Sequence, residues 1–361
     1  MKKLNIGFLG AGGIAKAHAY SLQALPFYYS DVPKVNFASV SSQTEKSRDQ
    51  FAADYGFDKA ESPEEFFHNR DLDAVFILGP NKVHAEQLQR AFEMPNVSKI
   101  YLEKPVCSSL QEEQKLAKLV GSSKKVQIGF QLLQASALIK AMKFWKETDF
   151  GKPIHFTFHH LHGDYLNKSY RDKRVTRLTP APDGGAMADL GSHALSLLIA
   201  FIGGDFEITS ALQGGGYDDV DPGSDLYSSI SLIDKVSGAV GQVNASRVSS
   251  GTGDAAGFQI YAEKGAIRYH THQANYFEYY IEEEGNWVKV YAGSDFQPYT
   301  SFPSGHVPSG WLRSMLHAHF LFLTEPEDPN FVPDLAHGLE VQRLVRETAV
   351  HLTDFRNKFK A

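Results

Sequence analysis

Two polar side chains of the sequence are spaced for acid–base chemistry. Asp189 and His193 lie four positions apart in a stretch with helical periodicity, so one helix face would carry both, one turn apart. An aspartate one turn before an imidazole can fix the orientation of the ring and stabilise its protonated form. This prepares a base that takes the proton of an alcohol. A surface pair, or a buried histidine with satisfied hydrogen bonds, is the alternative interpretation.

A lysine is expected at the edge of a ligand crevice. Lys104 stands in Glu103-Lys104-Pro105, directly after the predicted strand Lys99–Leu102. Open α/β sheets bind ligands at the carboxyl ends of their strands, which would place Glu103 and Lys104 beside a bound cofactor. Taken alone, Lys104 also fits an ordinary surface lysine before a helix.

A glycine-rich turn is typical of dinucleotide binding. The segment Gly10–Ala15 fits G-x-G-x-x-[GA], follows a predicted strand and opens a helix. The first glycine allows the tight turn, the second lets the backbone approach a pyrophosphate, and the small last residue lets helix and sheet pack closely. N–H groups at the helix N-terminus would bind the anion. The predicted cofactor contacts here are Gly10, Gly12, Gly13, Ile14 and Ala15.

The end of the second strand bears on the choice between NAD and NADP. An Asp or Glu there would grip the ribose 2′-hydroxyl of NAD, but the sequence reads Ser41-Ser42-Gln43-Thr44. With no carboxylate to repel a 2′-phosphate, Ser42 and Gln43 could hydrogen-bond it, and Lys46 or Arg48 could add charge. No arginine follows directly. The prediction is NAD(P), with a weak lean towards NADP.

A histidine-rich segment raises the question of a metal. His160 and His162 would share one face of a strand and could bind a metal with Asp164. No further ligand has diagnostic spacing, so we predict no metal site. Substrate contact or polar surface is the expected role of this segment.

Alternating strands and helices must position the first group of residues. Short apolar runs predict strands at Leu4–Leu9, Val35–Val40, Ala74–Leu78, Lys99–Leu102 and Val126–Gly129. Helical periods between them predict helices at Ile14–Leu25, Lys46–Tyr55, Val83–Phe92 and Ser109–Val120. Because this alternation requires crossover helices, residues 1–129 are predicted to form an α/β domain with a doubly wound parallel sheet.

After about residue 150 apolar and polar residues alternate. The predicted strands are Ile154–His162, Glu207–Gln213, Tyr227–Ile233, Ala239–Ser246, Gln259–Ala262 and Tyr276–Ile281, which would form one antiparallel sheet. One helix, Ala186–Ile202, interrupts them and carries Asp189 and His193. Two more are predicted at Gly310–Leu323 and Asp334–Phe355. We assign residues 130–361 to this second, α+β domain, from which the last helix could return towards the first.

Length and charge exclude several classes of protein. A chain of 361 residues suits two domains of about 150 residues each. The formal net charge of −6 has the wrong sign for a nucleic-acid binder. A single cysteine cannot form an internal disulfide, and no apolar run is long enough for a membrane span. We expect a cytoplasmic protein with no nucleic-acid or membrane partner.

Together the motifs resemble the glucose–fructose oxidoreductase / inositol dehydrogenase / rhizopine-catabolism (Gfo/Idh/MocA) family. They are Gly10-x-Gly12-x-x-Ala15, Glu103-Lys104-Pro105 and the segment Gly184–Leu195. The resemblance covers essentially the whole chain and includes Gly79-Pro80-Asn81-x-x-His84. It implies a Rossmann domain followed by a domain with a large, mostly antiparallel sheet, whose open face commonly mediates oligomer contacts. We therefore expect a homodimer or homotetramer, because an uncovered sheet face would expose a large apolar patch.

The resemblance also implies site residues. Lys104, Asp189 and His193 match residues that line the family's substrate site. The predicted cofactor site also includes Asn81, His84, Glu103 and Lys104, and the predicted substrate site includes Asp164, Tyr165 and Lys168.

A mechanism follows from these roles. His193 would take the hydroxyl proton of a sugar or polyol while hydride leaves the same carbon for nicotinamide C4. Lys104 would hydrogen-bond the oxygen, and Asp189 would orient His193. The mechanism requires an imidazole and an ammonium from separate halves of the molecule to reach the same nicotinamide.

Two departures from the family pattern leave the substrate open. Ser196 stands where relatives often carry an aspartate, and the segment Gly129–Gln134 lacks an arginine frequently found there. One alternative function is glycoside cleavage through transient oxidation by bound NAD. Another is a non-catalytic, dinucleotide-sensing regulator, against which the retention of Lys104, Asp189 and His193 argues.

Overall fold

The computed structural model describes residues 3–178, 184–215, 217–221, 223–293, 296–300 and 310–358. The chain divides into two compact units. The first comprises Met1–Cys107, Gln111–Ala135 and Ser294–Leu339, and the second comprises Ser108–Leu110, Ser136–Gly293 and Glu340–Ala361. This division is discontinuous, whereas the sequence predicts a single boundary after residue 129.

The first unit contains a six-stranded parallel sheet. Its strands are β1 (Lys3–Leu9), β2 (Lys34–Ser41), β3 (Lys59–Glu61), β4 (Ala74–Ile77), β5 (Lys99–Leu102) and β6 (Lys125–Ile128). Their order is β3-β2-β1-β4-β5-β6. The crossover helices are α1 (Gly13–Tyr28), α2 (Glu45–Tyr55), α3 (Pro63–His68), α4 (His84–Glu93) and α5 (Leu110–Ala117). The predicted Rossmann sheet is confirmed.

The central strands are apolar on both faces because helices cover both. Ile6 and Phe8 on β1, Phe76 on β4 and Tyr101 on β5 have no exposed surface. The prediction missed β3 and α3. The three residues of β3, Lys59-Ala60-Glu61, carry no apolar run that could signal a strand.

A helix from the end of the chain explains the discontinuous first unit. After α6 (Ser136–Glu147), α7 (Lys168–Asp172) and α8 (Ser192–Ile202), the chain forms α9 (Trp311–Thr324) and α10 (Leu335–Lys358). The ring of Phe322 on α9 lies 5.4 Å from that of Phe76, and the ring of Phe320 stacks at 4.0 Å on that of Tyr29. Every residue of α9 from Arg313 to Leu323 is buried, and Leu316 and the run from Phe320 to Leu323 belong to the core of the first unit.

The second unit is built on an eight-stranded sheet. Its strands are β7 (Pro153–His162), β8 (Phe206–Gly214), β9 (Tyr227–Asp234), β10 (Val240–Ser246), β11 (Asp254–Ala262), β12 (Gly265–His270), β13 (Tyr276–Ile281) and β14 (Asn286–Tyr291). The order is β14-β13-β12-β11-β7-β10-β9-β8. Neighbours are antiparallel except for β7 and β10, which confirms the mostly antiparallel prediction. Strands β12 and β14 were not predicted, because short turns join them to their neighbours.

One face of this sheet supports α8. Phe201 on α8 packs at 4.4 Å, ring to ring, on Phe258 of β11, which stacks on Phe158 of β7. A π-helical turn, Met187–Gly191, precedes α8. The single regular helix predicted over Ala186–Ile202 is thus corrected, and Asp189 lies in the π-helical turn.

Two kinds of feature are absent from the residues that the structure describes. No helix among them is long and apolar enough to cross a membrane. No group of three or more His, Cys, Asp or Glu side chains among them is arranged to hold a metal ion.

Candidate active site

The glycine-rich turn joins β1 to α1 in the geometry that the motif requires. Gly10 has a φ of 128°, and a Cβ there would lie 2.7 Å from the backbone that follows β4. A Cβ on Gly12 or Gly13 would meet no atom within 4 Å, so the space at the helix N-terminus is open to a ligand. Ala15 is fully buried and Ile14 is partly buried against the core. The turn can present backbone N–H groups to a pyrophosphate.

The loop after β2 carries hydroxyl and amide groups. Ser42 Oγ donates to Thr44 O at 3.1 Å, and Arg48 Nη1 lies 3.5 Å from Ser42 O. Gln43 is exposed. A cavity of about 360 Å³ adjoins this loop and the glycine-rich turn, and its charged lining residues are Lys16, Lys46 and Asp54. Two ammonium groups against one carboxylate make this lining suitable for an anion.

Glu103 is tied into the interior of the first unit. Its Oε1 lies 3.0 Å from His18 Nε2, and its side chain is 8% exposed. A Cβ on Gly129 would lie 2.7 Å from the same oxygen, so the glycine after β6 leaves room for the carboxylate. The carboxylate is thus buried against His18, and the contact of Glu103 with the dinucleotide stays a prediction.

A second imidazole extends the hydrogen-bonded series that begins at Glu103. His18 Nδ1 lies 2.8 Å from His319 Nε2, and both rings are fully buried. Burial and then the charge of His18 hold the pKa of His319 well below its usual range. Because an ionised carboxylate only accepts hydrogen bonds, His18 Nε2 donates to an ionised Glu103. This series of hydrogen bonds from His319 through His18 to Glu103 links α9 and α1 to the end of β5, next to Lys104.

Lys104 lies half-buried just after β5, where its peptide bond to Pro105 is cis. His84 braces this turn: its Nδ1 lies 2.7 Å from Pro105 O, and its Nε2 lies 2.9 Å from Gly79 O. Burial lowers the pKa of His84, and this effect is larger than the opposite effect of the hydrogen bonds to the two carbonyls. The ring of His84 holds two turns together, and its contact with the dinucleotide stays a prediction. Asn81 is exposed in the 3₁₀ turn before α4.

A buried aspartate fixes the segment before α8. Asp225 O accepts from Ala186 N at 3.0 Å, and Asp225 Oδ2 accepts from Met187 N at 2.9 Å. Ser228 Oγ donates to Asp225 Oδ1 at 2.6 Å. Burial raises the pKa of Asp225. Gly185 has a φ of 84°, and a Cβ there would lie 2.5 Å from the Asp225 side chain, so the position requires glycine.

Two arginines hold Asp189. Its Oδ2 accepts from Arg247 Nη2 at 2.7 Å and lies 3.7 Å from Arg177 Nη1. The Arg247 side chain is 1% exposed, and its Nη1 donates to Arg177 O at 2.6 Å. Its guanidinium also lies 4.6 Å from the centre of the Tyr165 ring. That Asp189 orients His193 stays a prediction, to which the structure adds the buried guanidinium that fixes the carboxylate.

His193, in the first turn of α8, contacts another imidazole. The ring centres of His193 and His160 are 5.4 Å apart, with 61° between the ring planes. His160 on β7 is buried, and its Nε2 lies 2.7 Å from Asp254 Oδ1. This hydrogen bond lowers the pKa of Asp254, helped by the charges of His160, His193 and His162. His160 Nε2 therefore donates to an ionised carboxylate.

The three predicted substrate residues follow β7. Tyr165 is buried beneath Arg247, and its backbone N donates to Arg247 O at 3.1 Å. Asp164 is exposed. Lys168 Nζ lies 2.9 Å from Asp172 Oδ1, and this hydrogen bond raises the pKa of Lys168. Asp164 and Lys168 are exposed whereas Tyr165 is buried, and substrate binding by the three residues stays a prediction.

Sequence reasoning missed the residues that hold the predicted reactive groups. Arg247 is 58 positions from Asp189, and Asp254 is 94 positions from His160. Separations of this size have no local periodicity. The one available cue was the presence of charged residues at the ends of otherwise apolar strands.

Comparisons with known proteins bear on both units. Residues 4–130 match the oxidoreductase family with an NAD-binding Rossmann fold, GFO_IDH_MocA, and residues 138–268 match the GFO/IDH/MocA C-terminal domain. The chain is 24% identical to levoglucosan dehydrogenase of Pseudarthrobacter phenanthrenivorans, over 94% of each protein. It is 28% identical to scyllo-inositol 2-dehydrogenase (NAD(+)) of Bacillus subtilis, over 67% of this chain and 66% of that one.

A solved structure supports the same assignment at the level of the fold. The structure of levoglucosan dehydrogenase in complex with NADH and levoglucosan matches with a TM-score of 0.83 and 22% identity, covering 97% of this chain and 96% of that one. Since the two family matches cover the nucleotide-binding region and most of the second sheet, the chain belongs to the GFO/IDH/MocA oxidoreductase family.

Proposed function

We propose that the protein is an NAD(P)-dependent dehydrogenase that transfers a hydride between the nicotinamide and a hydroxyl-bearing carbon of a sugar or polyol. The proposal rests chiefly on how the reactive groups of the second unit are held. Asp189 is bound by the buried Arg247, and His193 is packed against His160, which is bound by Asp254. Supporting pairs of this kind preorganise reactive groups.

The first unit fits the cofactor. The open space at Gly12 and Gly13 suits a pyrophosphate, which the N-terminus of α1 would hold. When bound, the dinucleotide supplies the hydride acceptor at its nicotinamide ring.

The protein's own groups move the proton. His193 takes it from the substrate hydroxyl, and the carboxylates of Asp189 and Asp254 stabilise the resulting imidazolium. The ammonium of Lys104 hydrogen-bonds the substrate oxygen, whose negative charge grows as the proton leaves. In the reverse direction His193 protonates that oxygen as the carbonyl is reduced.

The cofactor preference is a finer proposal. The loop after β2 lacks a carboxylate that would repel a 2′-phosphate, and Lys16 and Lys46 line the neighbouring cavity. We therefore propose that the enzyme accepts NADP, with a lean towards it over NAD. Assays with NAD and NADP in parallel measure this preference as a ratio of kcat/KM values.

An oligomeric, cytoplasmic enzyme is also proposed. Leu212, Tyr227, Val240 and Trp287 are exposed on the sheet face opposite α8, which supports a homodimer or homotetramer. Light scattering after size-exclusion chromatography measures the oligomeric state.

Two substitutions test the proposed chemistry. The substrate is first sought in a panel of sugars and inositols that includes levoglucosan and scyllo-inositol, followed at the nicotinamide absorbance band. His193→Asn and Lys104→Met should each lower turnover by about 10²-fold or more, because each removes a group that acts in the transition state. Dinucleotide affinity should change little.

Lys143→Met is the matched control, because it removes an ammonium that is 72% exposed on α6 and should leave turnover unchanged. Unchanged turnover in His193→Asn or in Lys104→Met would refute the assignment. Turnover of a glycoside without added dinucleotide and without net absorbance change would favour cleavage through transient oxidation instead.

A further inference from the structure

We propose that Asp254 and His160 form a positioning pair for His193, in which the Asp254 carboxylate, through the His160 ring, fixes the plane of the His193 ring and strengthens its affinity for a proton. The inference deepens the proposed function, since it concerns the group to which that function assigns the base.

The pairing of β7 with β11 in the sheet holds His160 and Asp254 next to each other. Asp254, the first residue of β11, is the register partner of His162 on β7, and Ala256 is the register partner of His160. Asp254 therefore reaches diagonally across the two strands to the imidazole two residues before its own partner. Its backbone O also accepts from Thr271 Oγ1 at 3.0 Å, which ties the start of β11 to the turn after β12.

Burial divides the pair into an inner and an outer member. The His160 side chain is 9% exposed, whereas that of Asp254 is 75% exposed. The carboxylate thus stays hydrated and ionised while its partner ring extends inward to His193. Since His160 Nε2 donates to Asp254, Nδ1 of a neutral His160 carries a lone pair.

The inner nitrogen of the His160 ring, Nδ1, contributes no stabilising hydrogen bond. In the part of the chain that the structure describes, His160 Nδ1 is buried and has no hydrogen-bond partner. An unsatisfied buried acceptor costs stability and calls for a functional explanation. The contact of the His160 ring with the His193 ring supplies this functional explanation.

The charged and titratable groups around His193 single out Asp254. Those that lie on the α8 side of the elements contacting it, or beside them, are His160, His162, Asp254, Asp189, Arg247 and, on α6, Lys140, Lys143, Lys146 and Glu147, whereas His155, His159 and Tyr261 belong to the opposite face of the sheet. Asp189 has its charge offset by the guanidinium of Arg247, which is permanently cationic. Asp254 is paired with an imidazole instead. The negative charge of Asp254 is therefore less compensated than that of Asp189. It favours the protonated form of His193.

A titration of the free protein tests the inference without any substrate. Histidine side chains are labelled with ¹³C, and the His193 signal is assigned by its disappearance in His193→Asn. In Asp254→Asn the amide oxygen can still accept from His160 Nε2, while the charge is removed. The midpoint of the His193 titration should fall by about half a pH unit or more.

Asp205→Asn is the matched control. Its carboxylate is 57% exposed, is paired with Lys235 at 3.3 Å and lies beyond the opposite end of α8. The His193 midpoint should be unchanged in this variant. An unchanged or higher midpoint in Asp254→Asn would overturn the inference.

The dependence of kcat/KM on pH provides a second measurement. It can be used even if the labelled histidine signals overlap. With the substrate found in the panel, the rising limb of kcat/KM for oxidation should move to lower pH in Asp254→Asn, because the base stays neutral at lower pH. A uniform loss of kcat/KM at every pH, with the limb in place, would mean a merely structural role and would also overturn the inference. Unchanged turnover in His193→Asn would refute the proposed function, a result separate from either titration outcome.

Discussion

Single residues in the candidate site divide into groups that could react and groups that hold them. Asp189 and His193 are half-buried, while Arg247 and His160 behind them are buried. A buried guanidinium is costly to desolvate, and it is stable here because Asp189, the Arg177 carbonyl and the Tyr165 ring all contact it. Asp189 should therefore be fixed before any ligand binds.

Arg247→Met tests this at the residue scale. The change leaves the Asp189 carboxylate and the Arg177 carbonyl without their buried donor, so the free energy of unfolding should fall by about 3 kcal/mol or more. Urea unfolding followed by circular dichroism measures it.

Arg177→Met is the comparison for the same carboxylate. Arg177 is 64% exposed and lies 3.7 Å from Asp189 Oδ2, so its loss should cost less than about 1 kcal/mol. Equal losses in the two variants would contradict the assigned importance of Arg247.

At the scale of elements, the π-helical turn and α8 depend on a distant loop. Asp225, just before β9, holds the backbone N–H groups of Ala186 and Met187 at the start of this segment. In the first unit, similarly, the ring of His18 on α1 and the ring of His319 on α9 hold Glu103 next to Lys104. The elements that carry the proposed reactive groups are thus fixed by contacts from remote parts of their own unit.

Gly185→Ala should disturb the first of these contacts. Gly185 and Gly203 both have a positive φ, so alanine is strained at either position. At Gly185 the added Cβ would also overlap the buried Asp225 side chain, whereas at Gly203 it would meet nothing within 4 Å. Gly185→Ala should therefore destabilise the protein by about 2 kcal/mol more than Gly203→Ala.

Thermal and urea unfolding of both variants check this difference. Turnover should also fall in Gly185→Ala, because the turn that carries Asp189 must move. A Gly185→Ala protein as stable and active as Gly203→Ala would show that Asp225 does not constrain the turn.

For the whole molecule, buried histidines make the first unit sensitive to acid. Burial lowers the pKa values of His84, His317, His319 and His337, and brings that of His337 to about 4. In the unfolded chain a histidine titrates near pH 6.5. Between these values the unfolded state binds more protons, so stability is lost as the pH falls from 6.5 towards 4.

His337→Phe should weaken this dependence. His337 packs edge-on against Phe130 and Phe331, with ring centres 5.7 and 5.2 Å away, so phenylalanine can occupy the site. The loss of unfolding free energy between pH 6.5 and pH 4 should shrink by about 3 kcal/mol.

Unfolding free energies measured at several pH values between 7 and 4 check the slope. His68→Phe is the control, because His68 is 75% exposed on α3 and its replacement should leave the slope unchanged. A parallel slope in His337→Phe and the parent protein would rule out His337 as a source of the acid sensitivity.

Much of the fold was predictable because its signals are local. The apolar runs of β1, β2, β4, β5 and β6 and the alternation of most later strands are patterns within ten residues. The predicted bounds agree closely with the observed ones, except that the strand predicted at Gln259–Ala262 begins at Asp254. Strand β3 has only three residues and no apolar run, and strands β12 and β14 were missed because short turns join them to their neighbours. The assignment of residues 294–339 to the first unit depends on where α9 is buried.

In the candidate site the sequence by itself determined the glycine-rich turn, the lysine after β5 and the Asp189–His193 spacing, because each is a short motif whose chemistry follows from neighbouring residues. The tertiary structure alone decided that Glu103 and His84 face their own unit, that Arg247 holds Asp189 and that Asp254 holds His160. The physical reason is that these pairs are set by strand register and helix packing. Such contacts join residues far apart along the chain, and no spacing in the sequence encodes them.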